Sequence, residues 1–456
     1  MMASRPTKLL LVLSASAAGI AFAATSGTPL PQAKVRLPAA TATPAAASKT
    51  AAAATTLAET IPDAPVLALA EDAATTFHDS DTMKCGTQKV HIDSPARAFK
   101  DQNGTVHLTV SDPNAAGWQW TGANSDFTAE PKTATLDCTS VMTGNVAASN
   151  PLMNDPTKFD QKTWIQAVFF QGSTVYAYGH EDYYGTRTAE TGCHDAGTSD
   201  GLPQCWYASI PLWTSSTSAT HLSFARSATA PDHGAIYPHV QYPGHSSTPT
   251  AGWIGYGAPS NIIRGRNPDG TADGYYYIFA YASAAYSGQS KGVCLFRSGD
   301  PTDRSSWRAW NGSTTTPGFT QTMGNPYSNT NSACAVVQPG TFNTYVRSVV
   351  WHKPSRRYIA FFRSSAAVRY TTSTDLLTWS TPQNLLTSTT DQANYPVAID
   401  LDGGDYGDSN FDRLYSNGKS YLFYRVSVAS GHTQIARKRI VVSNYSADVP
   451  GPTNPD

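Results

Sequence analysis

Paired strands recur five times between Asp93 and Val442 of this 456-residue chain. Each copy has a short apolar strand, a polar turn and a second strand rich in Tyr, Phe, Val and Leu. We place the first strands at residues 93–99, 164–170, 258–263, 345–351 and 395–399. The second strands begin at Thr105, Thr174, Gly274, Arg357 and Ser420. A long repeat that is made of strands and lacks a helical period predicts an all-β fold, a five-bladed β-propeller.

The N-terminal residues have the three parts of a secretory signal peptide. Arg5 and Lys8 precede an apolar run over residues 9–20, and Ala21-Phe22-Ala23 supplies a small-x-small cleavage site. We therefore predict a signal peptide over residues 1–24 and a secreted protein, extracellular or periplasmic; an uncleaved anchor is the alternative. Residues 25–75, rich in Ala, Thr and Pro, predict a disordered linker. The propeller catalytic domain is expected over 76–446 and a tail over 447–456.

Composition limits the partners of the chain. The net charge is -1 and 14% of residues are charged, which argues against a nucleic-acid partner. After cleavage we expect no membrane attachment and a monomer. In an exported chain an even number of cysteines favours disulfides. Their order in the sequence suggests three pairs: Cys85–Cys138, Cys193–Cys205 and Cys294–Cys334.

The propeller geometry predicts where chemistry can lie. In each blade the innermost strand leaves one rim and the second strand returns to it, so the starts of first strands and the ends of second strands share that rim. Asp93 starts the first strand of blade 1. The run His180-Glu181-Asp182-Tyr183 ends the second strand of blade 2. These residues are therefore expected on the same rim.

This arrangement resembles the five-bladed propeller glycosidases of glycoside hydrolase family 43 and its relatives, which act on arabinans, xylans and fructans. Asp93-Ser94-Pro95 and Gly257-Ala258-Pro259 carry the resemblance. It implies that Asp93 is the catalytic base or nucleophile, and that arabinan or xylan is a favoured substrate. Ser260 stands where the family has an Asp, and the family's Glu-Gly-Pro motif is absent from the sequence. Ser260 and Asn261 are candidate substrate-binding residues.

Glycoside hydrolysis needs two carboxyl groups on either side of the scissile bond. We assign the ionised group to Asp93 and the acid to Glu181, with Asp182 as the alternative acid. Neighbouring aromatic rings could desolvate Glu181 and raise its pKa, as an acid requires. The structural alternatives are a strand-end cap for Asp93 and a solvated loop carboxylate for Glu181.

Two other functions fit the same residues. A polysaccharide lyase would neutralise a uronate with Arg or His and abstract a proton with His or Tyr; His180 and Tyr183 are the candidates, with Arg97 and Arg347 as substrate-binding residues. Arg97 could instead pair with Asp93, because strand alternation puts both on one face. A non-catalytic glycan-binding propeller is the third alternative.

No cofactor is required by any of these mechanisms. An acidic cluster follows the first strand of blade 5, and structural calcium is an alternative to a solvated turn there. Its members are Asp400, Asp402, Asp405, Asp408 and Asp412. The substrate is expected to be a polysaccharide or oligosaccharide; exo or endo action and the stereochemical outcome stay open.

Overall fold

The computed structural model describes most of the chain from Asp63 to Asn444. The described ranges are 63–143, 155–185, 192–193, 205–218, 221–249, 251–315, 318–387, 393–401, 408–415, 419–428 and 431–444. The predicted signal peptide, most of the predicted linker and the predicted tail lie outside them. In these ranges the strands form five blades, so the predicted all-β propeller is confirmed.

The strands follow one another blade by blade. The chain enters through β1 (Val66–Leu69), β2 (Thr75–Asp79), β3 (Lys84–Cys85) and β4 (Gln88–Lys89). Blade 1 consists of β5 (Arg97–Lys100), β6 (Val106–Ser111), β7 (Gly117–Gly122) and β8 (Thr135–Met142). Blade 2 consists of β9 (Lys162–Gln171), β10 (Thr174–Tyr184), β11 (Trp206–Ser216) and β12 (Ala225–Arg226), with β13 (Gly234–Ile236) and β14 (Ile254–Gly255) paired to β11.

The second half of the ring has the same construction. Blade 3 consists of β15 (Ile263–Arg266), β16 (Ala272–Ala282), β17 (Gly292–Ser298), β18 (Arg308–Trp310) and β19 (Phe319–Thr322). Blade 4 consists of β20 (Val346–His352), β21 (Arg357–Ser364), β22 (Ala367–Ser373) and β23 (Gln383–Thr387). Blade 5 contains β24 (Asn394–Asp400), β26 (Ser420–Ser427) and β27 (Thr433–Ser443), while β25 (Arg413–Leu414) pairs with β20 of blade 4.

Short helical segments interrupt the strands. The α-helix α1 (Asn124–Thr128) joins β7 to β8, and 3₁₀ turns lie at Pro156–Lys158, His245–Ser247 and Arg304–Ser306. The segment between residues 221 and 256, long enough to hide further strands, adds β12, β13 and β14 to blade 2 and forms no separate blade in its described part.

The two ends of the described chain close the ring. Strands β1 and β2 both pair antiparallel with β27, and Val66 lies opposite Ser443. The propeller thus begins at β1, about ten residues before the predicted boundary at residue 76. This four-residue apolar strand was not predicted, because it lies within the Ala-, Thr- and Pro-rich region that suggested a linker.

Buried apolar side chains fill all five gaps between neighbouring blades. The second strands bury both faces, which is why they are nearly continuous apolar runs and not alternating ones. Each gap holds a core cluster with members from both blades. From blade 1–2 round to blade 5–1, two such members are Phe99 and Phe170, Tyr178 and Phe296, Phe279 and Phe362, Ile359 and Leu422, and Phe423 and Val106. The core therefore consists of five interfaces, one between each pair of neighbouring blades.

All three predicted disulfides are present: Cys85–Cys138, Cys193–Cys205 and Cys294–Cys334. Disulfides of this number are typical of proteins from oxidising compartments. No helix in the described ranges is both long and apolar enough to span a membrane.

Candidate active site

A cavity of about 200 Å³ lies on the rim where first strands begin and second strands end. All five blades contribute to its wall. The lining residues are Asp93, Trp164, Gln166, His180, Asp182, Tyr184, Trp206, Trp253, Ala258, Tyr345, Arg347 and Tyr395. The structure thus brings together Asp93, His180, Asp182 and Arg347, four of the residues that the sequence singled out.

Asp93 lies just before β5, and blade 5 supplies its polar neighbours. The Tyr395 hydroxyl donates a hydrogen bond of 3.2 Å to Asp93 Oδ1, and Arg425 Nη1 lies 3.5 Å from the same oxygen. Burial raises the pKa of Asp93 above its ordinary value, while the charge of Arg425 and the hydrogen bond from Tyr395 oppose that rise. Asp93 is therefore a partly desolvated carboxyl group with a cation in reach, and not a strand cap.

Asp182 and His180 form a pair on the other side of the cavity. His180 Nε2 lies 2.8 Å from Asp182 Oδ1, and the Tyr184 hydroxyl donates to Asp182 Oδ2 at 2.9 Å. The backbone N–H of Ala258 donates to His180 Nδ1 at 2.8 Å. Because Nδ1 is an acceptor, neutral His180 carries its proton on Nε2, which faces Asp182.

Gly257 makes room for this histidine. A Cβ atom at residue 257 would lie 2.3 Å from the His180 ring, a distance that carbon atoms do not tolerate. The Gly257-Ala258 pair noticed in the sequence therefore positions His180: the glycine admits the ring and the alanine N–H fixes its tautomer.

Glu181, the first choice for the acid, lies outside the cavity lining. Strand alternation turns it to the opposite face of β10, where it is fully buried. The Ser209 hydroxyl donates to it at 2.9 Å and the backbone N–H of Gln161 at 3.3 Å. Burial raises its pKa well above the ordinary carboxyl value, as predicted for an acid, but the side chain is not among those that line the cavity. Tyr183 shares this face and packs against Tyr242.

The two predicted arginines differ in position. Arg97 is buried and is not among the residues that line the cavity; it donates to the backbone carbonyls of Gln166 and Arg347, which do. Burial and the charge of Arg347 lower the pKa of Arg97 to about 9. Arg347 lines the cavity, with its guanidinium 4.3 Å from the ring centre of Tyr345 and 4.6 Å from that of Tyr395.

Ser260 and Asn261 join strands and do not line the cavity. The Ser260 hydroxyl accepts from the N–H of Phe279 at 3.0 Å. The Asn261 side chain accepts from the N–H of Val349 and donates to its carbonyl oxygen, which ties blade 3 to blade 4. The two side chains, predicted to bind substrate, hydrogen-bond to the backbone of neighbouring strands.

Most of the aromatic wall was not predicted from the sequence. Trp253 contacts Trp206 at 4.8 Å between ring centres and stacks on Tyr345 at 5.8 Å. Trp164, Tyr345 and Tyr395 lie at or near the starts of predicted first strands, so the rule that placed Asp93 on the rim could have placed them as well. Aromatic rings with a polar edge are suited to a ligand with one apolar face and many hydroxyl groups.

The acidic cluster after β24 makes hydrogen bonds within the chain. Asp400 accepts from the N–H of Tyr415 and from the Ser420 hydroxyl, and Asp408 accepts from the N–H of Arg413. Asp402 and Asp405 lie outside the described residues. Within the described ranges, no three His, Cys, Asp or Glu side chains are grouped as a metal site would need.

Neither a protein-family model nor a curated protein matches the chain. Solved structures similar to it include a family 117 glycoside hydrolase of the marine bacterium Zobellia galactanivorans, at 10% identity and a TM-score of 0.44, over 82% of this chain and 90% of that one. An α-L-arabinanase of Cellvibrio cellulosa matches at 10% identity and a TM-score of 0.37, over 76% and 91%. A GH43_1 enzyme of Xanthomonas citri in complex with xylose matches at 11% identity and a TM-score of 0.38, over 80% of this chain and 89% of that one. The sequence resemblance named the same kind of protein, the propeller glycosidases.

Proposed function

We propose that this protein is a glycoside hydrolase that cleaves a polysaccharide or oligosaccharide in the central cavity. One observation carries the proposal: Asp93 of blade 1 and Asp182 of blade 2 line the same cavity, whose wall is otherwise mostly aromatic. Two carboxyl groups beside one sugar are the minimum that glycoside hydrolysis needs. The three disulfides fit an exported enzyme that meets its polymer outside the cell.

The surroundings of the two carboxyl groups suggest different roles. Asp93 acts as the base or nucleophile, because Arg425 and the Tyr395 hydroxyl stabilise its ionised form and oppose the rise in pKa that burial causes. Asp182 acts as the acid and protonates the glycosidic oxygen. After that transfer, its carboxylate is stabilised by the hydroxyl of Tyr184, and His180 Nε2 lies 2.8 Å from its other oxygen. Asp182 thus replaces Glu181, which faces the other side of the strand.

The cavity suggests a small unit at the cleavage point. Its volume of about 200 Å³ is below the roughly 300–1,000 Å³ of pockets that bury a drug-sized ligand. A single sugar ring stacked on the aromatic wall suits this volume better than a longer piece of chain. Pentose or furanoside polymers such as arabinan and xylan remain the first substrates to try, on the basis of the sequence resemblance.

The test is a screen of the secreted protein on arabinans, xylans, fructans and uronate polymers. We expect reducing ends to appear with wild type and to fall about 100- to 10,000-fold in Asp93→Asn and Asp182→Asn, the range for loss of a general acid or base. Asp269→Asn, on an exposed turn, is the matched control and should keep full activity. Asp182→Asn should lose less activity on aryl glycosides with good leaving groups, because departure of these groups does not need protonation by an acid.

The same screen separates the alternatives. An unsaturated product with ultraviolet absorbance would identify a lyase, although both ring nitrogens of His180 are already engaged by Ala258 and Asp182. Binding of a glycan without turnover would identify a glycan-binding propeller. Turnover that survives both substitutions would refute the proposed carboxyl pair.

A further inference from the structure

A second cavity, of about 280 Å³, opens beside the central one. The two share Tyr345, Arg347 and Tyr395 as a common wall. The far wall of the second cavity comes from blades 4 and 5 and from the segment before blade 4. Its residues are Asn343, Thr344, Arg363, Ser364, Ser365 and Asn394. We call this space the Arg363 cavity.

The lining of the Arg363 cavity carries positive charge and no carboxylate. Arg347 and Arg363 are its charged residues, and the remainder of the wall consists of hydroxyl, amide and tyrosine side chains. This differs from the central cavity, where two aspartates face Arg347 and His180. A ligand in the Arg363 cavity therefore meets a local excess of cations over anions.

Both arginines are held in place before any ligand arrives. Arg363 Nη1 donates to Asn394 Oδ1 at 2.7 Å, and among the described residues Arg363 forms no ion pair. Arg347 lies against the rings of Tyr345 and Tyr395, which restrict its guanidinium without neutralising it. A planar, fixed guanidinium binds carboxylate, sulfate and phosphate oxygens in pairs and loses little freedom when it does so.

We propose that the Arg363 cavity binds an anionic group of the glycan, a carboxylate or a sulfate ester, on the unit next to the one in the central cavity. The inference rests on the proposed function, because it takes the central cavity as the place of cleavage. It narrows the substrate class to an acidic glycan, which includes arabinans or xylans that bear acidic groups. Arg363 is then a specificity-determining residue and takes no part in the bond cleavage.

The experiment compares oligosaccharides that differ only in charge. The first pair is an oligogalacturonate and its methyl ester, and the second is a sulfated galactan oligosaccharide and its desulfated form. Binding is measured by calorimetry in the Asp182→Asn background, so that turnover does not consume the ligand. We expect the acidic member of one pair to bind at least 10-fold tighter than its neutral partner, and more weakly as salt is added. A difference in affinity within the galacturonate pair identifies the anionic group as a carboxylate, and a difference within the galactan pair identifies it as a sulfate ester.

Variants then locate the effect. Arg363→Gln should weaken binding of the acidic member about 10- to 100-fold, the value of one charge-assisted contact, and leave the neutral member unchanged. Arg369→Gln is the matched control, since Arg369 also donates to an asparagine but lies outside the cavity lining. Arg363→Lys keeps the positive charge but cannot donate two parallel hydrogen bonds. Its affinity for the acidic member should therefore lie between those of the parent protein and Arg363→Gln.

Two results would overturn the inference: equal binding of acidic and neutral members by the parent protein, or equal losses in Arg363→Gln and Arg369→Gln. Neither depends on catalysis. The proposed function fails separately, if Asp93→Asn and Asp182→Asn still release reducing ends.

Discussion

Replacing Glu181 by Gln tests whether Glu181 lies on the buried face of β10, away from the cavity that Asp182 lines. Glu181 is 0% exposed, and its neighbours include the charges of Asp182 and Asp160. Burial raises its pKa well above 4.5, so the folded protein keeps this carboxyl protonated at a pH where the unfolded chain has lost the proton. Gln has nearly the same shape and cannot ionise. Ser209 can turn its hydroxyl to accept from the new amide.

The sign follows from proton counting. Between the unfolded and the folded pKa of Glu181, the folded state binds one more proton than the unfolded state, so the free energy of unfolding falls as pH rises. The slope from this one group is about 1.4 kcal/mol per pH unit. It begins near pH 4.5 and ends at the folded pKa. The Gln variant lacks this dependence on pH. Its free energy of unfolding should therefore rise relative to that of wild type by about 1.4 kcal/mol for each pH unit in this range.

The assay is urea unfolding followed by tryptophan fluorescence at pH 4, 5 and 6, together with turnover of the best substrate. We expect the stability difference to widen with pH while activity is kept. Asp182→Asn, one residue along and on the cavity face, should lose activity. Parallel pH curves for wild type and Glu181→Gln would show that Glu181 is ionised in the fold. Lost activity in Glu181→Gln would restore it as the acid.

Two further predictions concern the groups that hold the central cavity. Gly257→Ala should displace the His180 ring and lower turnover by up to about 100-fold, whereas Gly299→Ala, with no atom near its added carbon, should not; equal activities would contradict the positioning role. Arg425→Met removes a cation that opposes the raised pKa of Asp93, so that pKa should rise further. The acidic limb of the pH profile of kcat/KM should therefore move to higher pH, and an unmoved limb would count against Asp93 as the ionised group.

The sequence predicted the fold because its evidence is local and repeated. Each blade needs an apolar run, a polar turn and a second apolar run. All five copies can be recognised from local sequence, without knowing which distant residues are in contact. The rim followed from the strand order, and the structure places Asp93, His180 and Asp182 around one cavity. The disulfide pairs followed from neighbouring cysteines in the strand layout.

The choice between Glu181 and Asp182 needed the packed structure. Strand alternation shows that the two residues face opposite sides of β10. Both sides are buried, so the side-chain types along the strand do not show which side faces the cavity. The decision comes from neighbours far along the chain: Ala258 on one side and Ser209 on the other.

Gln166 was missed for a related reason. In the β9–β10 pairing, Ile165 lies opposite Gly179 and Ala167 opposite Tyr178, so Gln166 is an extra residue in β9. A bulge of this kind re-aims a side chain, and Gln166 lines the cavity as a result. A single strand carries no sign of a bulge that is defined by its partner.

The candidate site depends on closure of the ring, because its carboxyl groups are held by different blades. Asp93 of blade 1 takes its cation and its hydroxyl donor from blade 5. Asp182 of blade 2 faces a histidine that blade 3 fixes through Ala258. Blade 5 is completed by β1 and β2, so the N-terminal segment that looked like linker supports the Asp93 side of the cavity. An open chain of the same blades would retain the carboxyl groups and lose the neighbours on which their proposed roles depend.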